Sequence, residues 1–344
     1  MVPAFFSKAM ILFNCDYSEG AHADILRRMA ETNMEQTAGY GEDPYCDQAR
    51  KLIAGLCGRT DLDIHFLIGG TQTNFTVIAA ALRPHQCVLC ADTGHINVHE
   101  SGAVEACGHK GSAIPFPDGK LTARQIEEAW HAHWDDETRE HMPQPRMVYI
   151  SQPTELGTIY SRKELQEISG VCRRRGLYLY MDGARLGYGF CDEDNDLDLP
   201  AIASLCDAFY IGGTKVGALF GEALVLRHEA LKEDFRYIAK QKGGRLAKGR
   251  LLGIQFLELF RDGLYFRLGA HADRLAVMLR DFCRSRGLAL PFSSGTNQQF
   301  VTMPDSVLEE LGRKYGFAYL RREDETHSLS LIHISEPTRP RLIS

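Results

Sequence analysis

The chain has 344 residues, 44% of them apolar and 24% charged, and 39 Lys and Arg against 45 Asp and Glu give a formal charge of −6. This balance excludes a disordered tail, a collagen and a coiled coil, and it lacks the basic footprint of a general nucleic-acid binder. The length suggests about two domains of roughly 150 residues each, and the mild charge leaves room for a basic pocket around a small anion.

Residues 1–13 carry one charge, Lys8, and their apolar run is too short for a membrane span or a clear signal peptide. Periodic sequence begins near Met10, so residues 1–9 read as a non-native extension. No later run is long enough to span a membrane. Asp43-Pro44 is an N-cap with proline at the first helical position; Tyr45, Ala49, Leu52, Ile53 and Leu56 share a face, and Gly58 is a stop. Residues 65–68 predict a strand, Gly69-Gly70-Thr71 breaks it, and Phe75, Ile78, Ala79 and Leu82 mark the next helix. Residues 87–90 are a second strand. Thr122 with Gln125, and Ser161 with Glu164, form capping boxes for two more helices, the latter ended by Gly176. Residues 147–150, 177–181, 208–211 and 223–226 complete the strands. Ten scattered cysteines without a dense framework indicate reduced thiols in the cytoplasm. Cys87 and Cys90 read as core positions of a strand rather than half of a zinc site.

Strand–helix alternation predicts an α/β fold, a mostly parallel sheet covered by helices on both faces, with ligands at the carboxyl ends of the strands. The large domain takes residues 10–260. Helices and a strand at 299–303 predict a smaller C-terminal α/β domain over 261–327.

Three turns after strands carry the unusual residues. Gly70-Thr71-Gln72 opens a helix, where free N–H groups, the helix dipole and a hydroxyl suit an anion. The pattern is neither a dinucleotide fingerprint nor a Walker loop, so a compact phosphate fits better than a nucleotide; turn geometry alone also accounts for Gly-Gly. Asp182 follows strand 177–181, where a carboxylate can hold a metal, a ribose or a protonated ring nitrogen, or simply cap a helix. Lys215 follows strand 208–211. Held against an apolar sheet it has a lowered pKa and can form a Schiff base, whereas an isolated lysine on a turn is a surface group. Together the turns match the needs of pyridoxal 5′-phosphate: a lysine for the aldehyde, a carboxylate for the ring nitrogen and a phosphate cradle. His95, after strand 87–90, can lay its face on the ring or fix a loop. No metal site is predicted.

At these residues the sequence resembles the threonine aldolase / aromatic amino acid β-eliminating lyase family, on the aspartate-aminotransferase-like fold type I, from about residue 13 to 327. The resemblance rests on Tyr40-Gly41-Glu42-Asp43-Pro44, Gly69-Gly70-Thr71-Gln72-Thr73-Asn74, Asp92-Thr93-Gly94-His95-Ile96 with Glu100, Asp182-Gly183-Ala184-Arg185-Leu186, and Lys215. It implies that Lys215 and His95 are catalytic, with His95 stacked on the cofactor and the candidate base for the substrate's β-hydroxyl. It implies that Gly70, Thr71, Gln72, Asp182 and Arg185 join them in binding pyridoxal phosphate. The implied reaction cleaves Cα–Cβ of a β-hydroxy-α-amino acid, threonine or allo-threonine, to glycine and acetaldehyde. The implied assembly is a homodimer or homotetramer with interface active sites and neither nucleic-acid nor membrane partners. Another pyridoxal-phosphate reaction (β-elimination or transamination) and a catalytically impaired protein of this fold are the alternatives. A nucleotide-binding oxidoreductase would lack its fingerprint.

The sequence departs from the family pattern in four places. Cys15 stands where the family often has a serine near the substrate carboxylate. The basic loop 242–250 resembles one that reaches a neighbouring subunit's phosphate, but its usual arginine aligns near Ala247. Arg245, Lys248 or Arg250 would have to substitute, and a solvated loop is the equal alternative. For the family's second histidine, near the substrate hydroxyl, His141 is the candidate, although it reads more readily as a surface residue. Residues 328–344 resemble translated sequencing-adapter read-through. The small domain is therefore expected to lack its last strand, final helix and carboxylate-binding arginine, with Arg339 a poor substitute between Pro337 and Pro340.

Overall fold

A computed structural model of the chain describes residues 10–335. Seven strands make one sheet: β1 (Asp63–Leu67), β2 (Gln86–Ala91), β3 (Lys110–Ile114), β4 (Gln144–Ser151), β5 (Tyr178–Asp182), β6 (Ala208–Gly212) and β7 (Glu222–Leu226), in the order β1-β7-β6-β5-β4-β2-β3. Strand β7 runs antiparallel to both neighbours and every other pairing is parallel. These strands read as nearly continuous apolar runs because both faces are covered. Alternate residues enter opposite cores. Val148, Ile150, Leu179, Met181, Phe209 and Ile211 face one; Met147, Tyr149, Tyr178, Tyr180, Ala208 and Tyr210 face the other.

The principal helices are α1 (Pro44–Leu56), α2 (Gly70–Ala81), α3 (Ala123–Trp134), α4 (Arg162–Arg175), α5 (Arg250–Arg261) and α6 (Leu264–Ser285). Helix α2 buries Val77 and Ile78 in the tyrosine-lined core. The others bury Ile53, Ile126, Leu165, Phe256 and Leu268 in the opposite one. Their starts follow local chemistry. Asp43 accepts from Cys46 N at 2.9 Å, and both capping boxes form. Gly176 closes α4 at φ 64°, a left-handed conformation that suits glycine. Strand β3 has no predicted counterpart, because Lys-Gly-Ser-Ala-Ile on an edge lacks the apolar run of the central strands.

A second, antiparallel sheet joins β8 (Gln298–Pro304), β9 (Ala318–Arg322) and β10 (His327–His333) in the order β9-β10-β8. The expectation of a missing last strand is corrected here. Residues 328–335, set apart in the sequence with the rest of 328–344 as a foreign tail, supply the middle strand and its continuation. The alternation Ser-Leu-Ser-Leu has the period of a strand, and residues 328–333 are buried. Arg339 and the extension 1–9 lie outside the described residues. The first described residues also pack on the smaller domain, although the sequence reading starts the large domain at residue 10. Ile11 and Leu12 pair in parallel with Tyr315 and Gly316, and Phe13 O accepts from His333 N at 2.9 Å. A two-residue strand leaves no periodic signal. Among the described residues no helix is long and apolar enough to cross a membrane.

Candidate active site

The carboxyl ends of the parallel strands open into a cleft of about 320 Å³. Gly70 and Thr71 line it from the start of α2, His95 from the turn after β2, Asp182 and Arg185 from the end of β5, and Lys215 from the turn after β6. Residues far apart in sequence converge because parallel strands deliver their following turns to one edge.

The turn that holds Lys215 is fastened to the start of β7. Gly213 N and Thr214 N donate to Gly221 O at 3.0 and 3.1 Å. Glu222 accepts from Gly213 N (3.0 Å) and Thr214 Oγ1 (2.8 Å), so its carboxyl fixes the turn from below. Tyr188 OH donates to Lys215 O at 2.5 Å. Burial, then the Arg185 charge, lowers the Lys215 pKa. Burial raises Glu222 to about 8. A lysine that releases its proton readily thus stands beside a carboxyl that keeps one.

Asp182 is buried and accepts four hydrogen bonds. Tyr210 OH (2.5 Å) and Ala184 N (2.9 Å) reach Oδ1; Tyr149 OH (2.6 Å) and Asn74 Nδ2 (3.0 Å) reach Oδ2. Burial alone would raise its pKa, but the His95 charge and the Tyr149, Tyr210 and Asn74 bonds hold it below the usual carboxylate value. His95 Nδ1 lies 2.7 Å from Glu100 Oε1, which also accepts from Asn74 Nδ2 at 2.7 Å. Asn74 therefore ties the imidazole's partner to Asp182. Burial would lower the His95 pKa, but Glu100 and Asp182 outweigh it and leave it raised.

Arg185 forms a two-bond pair with Asp16 (2.7 and 3.1 Å), and Asn297 Nδ2 donates to the same carboxylate at 2.9 Å. Burial pushes Asp16 up, yet Arg185, His333 and Lys215 hold it well below the usual range. His333, at the end of β10, brings Nε2 within 3.4 Å of Arg185 Nη2, and burial lowers its pKa to about 4.

The donor set fits pyridoxal phosphate. Helix α2 starts at N-cap Gly69 without a side-chain cap, so the N–H groups of its first turn have no partner inside the helix. A Cβ on Gly70 would sit 3.1 Å from the Tyr210 hydroxyl, so glycine keeps that approach open. Lys215 and the Asp182 anion complete the requirements for an aldehyde and a ring nitrogen.

Other sequence candidates go elsewhere. The Gln72 side chain accepts from Ile68 N (3.3 Å) and donates to Lys242 O (3.1 Å), outside the cleft lining. His141 is exposed on the turn Arg139–His141, before the amino end of β4 and away from the cleft, as its surface reading has it. Cys15 Sγ lies 3.0 Å from Ser18 Oγ. In the basic loop, Arg245 donates to Tyr40 O and Arg250 to Glu35 O and Thr32 O, while Lys248 is exposed. Sequence reasoning missed Asn74, Tyr149, Glu155, Tyr210 and Glu222. The rule that strand ends carry the site would have reached Glu155.

The model of the β-eliminating lyase family matches residues 15–306. A low specificity L-threonine aldolase of Pseudomonas aeruginosa is 32% identical over 303 residues, 87% of this chain and 86% of its own length. One from Escherichia coli K12 is 26% identical over 300 residues, 83% and 84% of the two chains. The solved structure of Leishmania major threonine aldolase superposes with a TM-score of 0.94 at 43% identity, over 97% of this chain and 96% of that one. A Thermus thermophilus aspartate aminotransferase variant, 13% identical with a TM-score of 0.69 over 97% and 89%, shares the fold.

Proposed function

The chain belongs to the β-eliminating lyase family, and on that premise we propose a pyridoxal-phosphate-dependent carbon–carbon lyase that cleaves threonine and allo-threonine to glycine and acetaldehyde. One observation carries the reading: Lys215, Asp182 and the uncapped start of α2 share one cleft. Pyridoxal phosphate, when bound, supplies an aldehyde for an amine and a cationic ring that accepts the electron pair of the broken bond.

This chain's residues would divide the remaining work. Gly70 and Thr71 bind the phosphate at the helix start, where N–H groups and dipole favour an anion. Asp182, kept ionised by the His95 charge and the Tyr149, Tyr210 and Asn74 bonds, holds a proton on the ring nitrogen. Lys215, with its lowered pKa, binds the aldehyde as a neutral amine and later returns a proton to Cα. His95, oriented by Glu100, lies against the ring. Arg185, anchored by Asp16, gives the cleft a positive wall on the side of a substrate carboxylate. We place this machinery in the large domain, residues 10–260, with the smaller domain at its edge. The basic loop 242–250 favours a homodimer or homotetramer, and ten free thiols fit the cytoplasm.

The test is aldehyde release. Purified protein loaded with pyridoxal phosphate should produce acetaldehyde and glycine in equal amounts from threonine or allo-threonine. Protein that shows the cofactor's visible absorbance yet gives only a 2-oxo acid would replace the aldolase reading with elimination or transamination.

A further inference from the structure

We propose that Glu155 takes the proton of the substrate's β-hydroxyl as the Cα–Cβ bond breaks, leaving His95 to the cofactor ring. This rests on the lyase reading above. Three carboxyl groups line the cleft: Asp182, Glu222 and Glu155. The first two have protein donors on both oxygens. Glu155 differs. Ser151 Oγ (2.7 Å) and His95 N (2.8 Å) both donate to Oε1, which fixes the carboxyl and leaves Oε2 for a ligand. Its residue is half-buried and opens on the cleft.

The topology separates two proton positions. Strand β4 ends at Ser151, between β2, which leads to His95, and β5, which ends at Asp182. Lys215 leaves β6, two strands along from β4. A proton can thus be handled at Cα from the lysine turn and at the β-oxygen from the Glu155 turn. Three neighbouring groups are engaged. His95 Nδ1 is held by Glu100, Glu222 fastens the Lys215 turn, and the Ser151 hydroxyl already donates to Glu155. Burial, outweighing the Ser151 bond, makes Glu155 a stronger base than an ordinary glutamate.

The step balances. The β-hydroxyl O–H breaks toward Glu155 and its electron pair forms the aldehyde C=O. The Cα–Cβ pair passes to the glycine fragment, Lys215 delivers a proton to Cα, and the proton held by Glu155 returns through water to Lys215.

Glu155→Gln tests the assignment, since an amide still accepts from Ser151 and His95 N but takes no proton. Two reactions are compared in protein that retains the cofactor's absorbance and its melting temperature. Aldehyde release should fall about 100-fold or more. Exchange of the glycine α-proton in deuterated water, which needs Lys215 but no hydroxyl, should stay within about threefold of wild type. E155Q that cleaves within about threefold of wild type overturns the inference, and so does a parallel loss of both reactions. If E155Q does not fold, Glu155→Asp keeps the charge and shortens the reach by one methylene; the same split, smaller in size, is expected, and its absence overturns the inference. Wild-type protein that exchanges glycine but releases no aldehyde fails the lyase reading and this assignment together. Wild type that cleaves, with E155Q its equal, fails only this assignment.

Discussion

Lys215 and Glu222 share one turn and divide its protons in opposite senses. Lys215→Ala should lose the visible absorbance of bound cofactor and reduce cleavage to background; a retained band would place the cofactor on another group. Glu222 gives a pH signature. Its proton stays on up to about pH 8 in the folded chain, against an ordinary value of 4.5. Between those values the folded state binds more protons than the unfolded one, so this group's contribution to stability falls as pH rises. Lys215 shifts the other way but is common to both proteins compared. The melting temperature of Glu222→Gln should therefore gain on wild type from pH 4.5 to 8; a constant difference across that window refutes a buried acid. Lys215 and Asp182 were legible because each follows an apolar strand. Glu222 was not, because a glutamate opening a strand looks the same in sequence whether it faces solvent or the underside of a turn.

At the scale of elements, most of the sheet was legible in apolar runs, and helix starts in their caps. Close approach between turns was not, since it depends on partners distant in sequence. The turn after β5 and the end of β6 touch through backbone, with Gly212 N donating to Gly183 O at 2.9 Å. A Cβ on Gly183 would lie 2.0 Å from Tyr210 O, and one on Gly212 2.2 Å from Ala184 O. Tyr210 cannot yield without moving the central strand β6, nor Ala184 without moving the turn that carries Arg185. Gly183→Ala should cost about 3 kcal/mol in urea unfolding. Ser161→Ala, which removes one cap of α4 far from the cleft, should cost only about 1 kcal/mol. Equal midpoints for the two variants would show that the turns can separate freely.

Across the described residues, the smaller domain reaches the cleft through a chain of contacts between positions far apart in sequence. Strand β10 lies between β8 and β9, and its end ties both to Phe13 O, through His333 N, and to Asn297, whose amide holds Asp16. Asp16 in turn orients Arg185. Removing residues 328–344 takes out the middle strand, leaves β8 and β9 with unpaired edges, and uncovers Phe300 and Met303, buried in the intact chain. The seven-stranded sheet does not depend on β10 for any of its pairings. The shortened chain should therefore keep the cofactor's absorbance and lose its protection from protease between residues 290 and 327. Its cleavage rate at saturating cofactor should fall through a higher KM for the amino acid, because Arg185 loses His333 beside it and Asn297, which holds Asp16, loses its anchor at Ile334. A shortened chain that resists protease like the full one would mean that β8 and β9 hold without the strand between them; one that loses the absorbance as well would mean that the cofactor cleft needs the smaller domain to form.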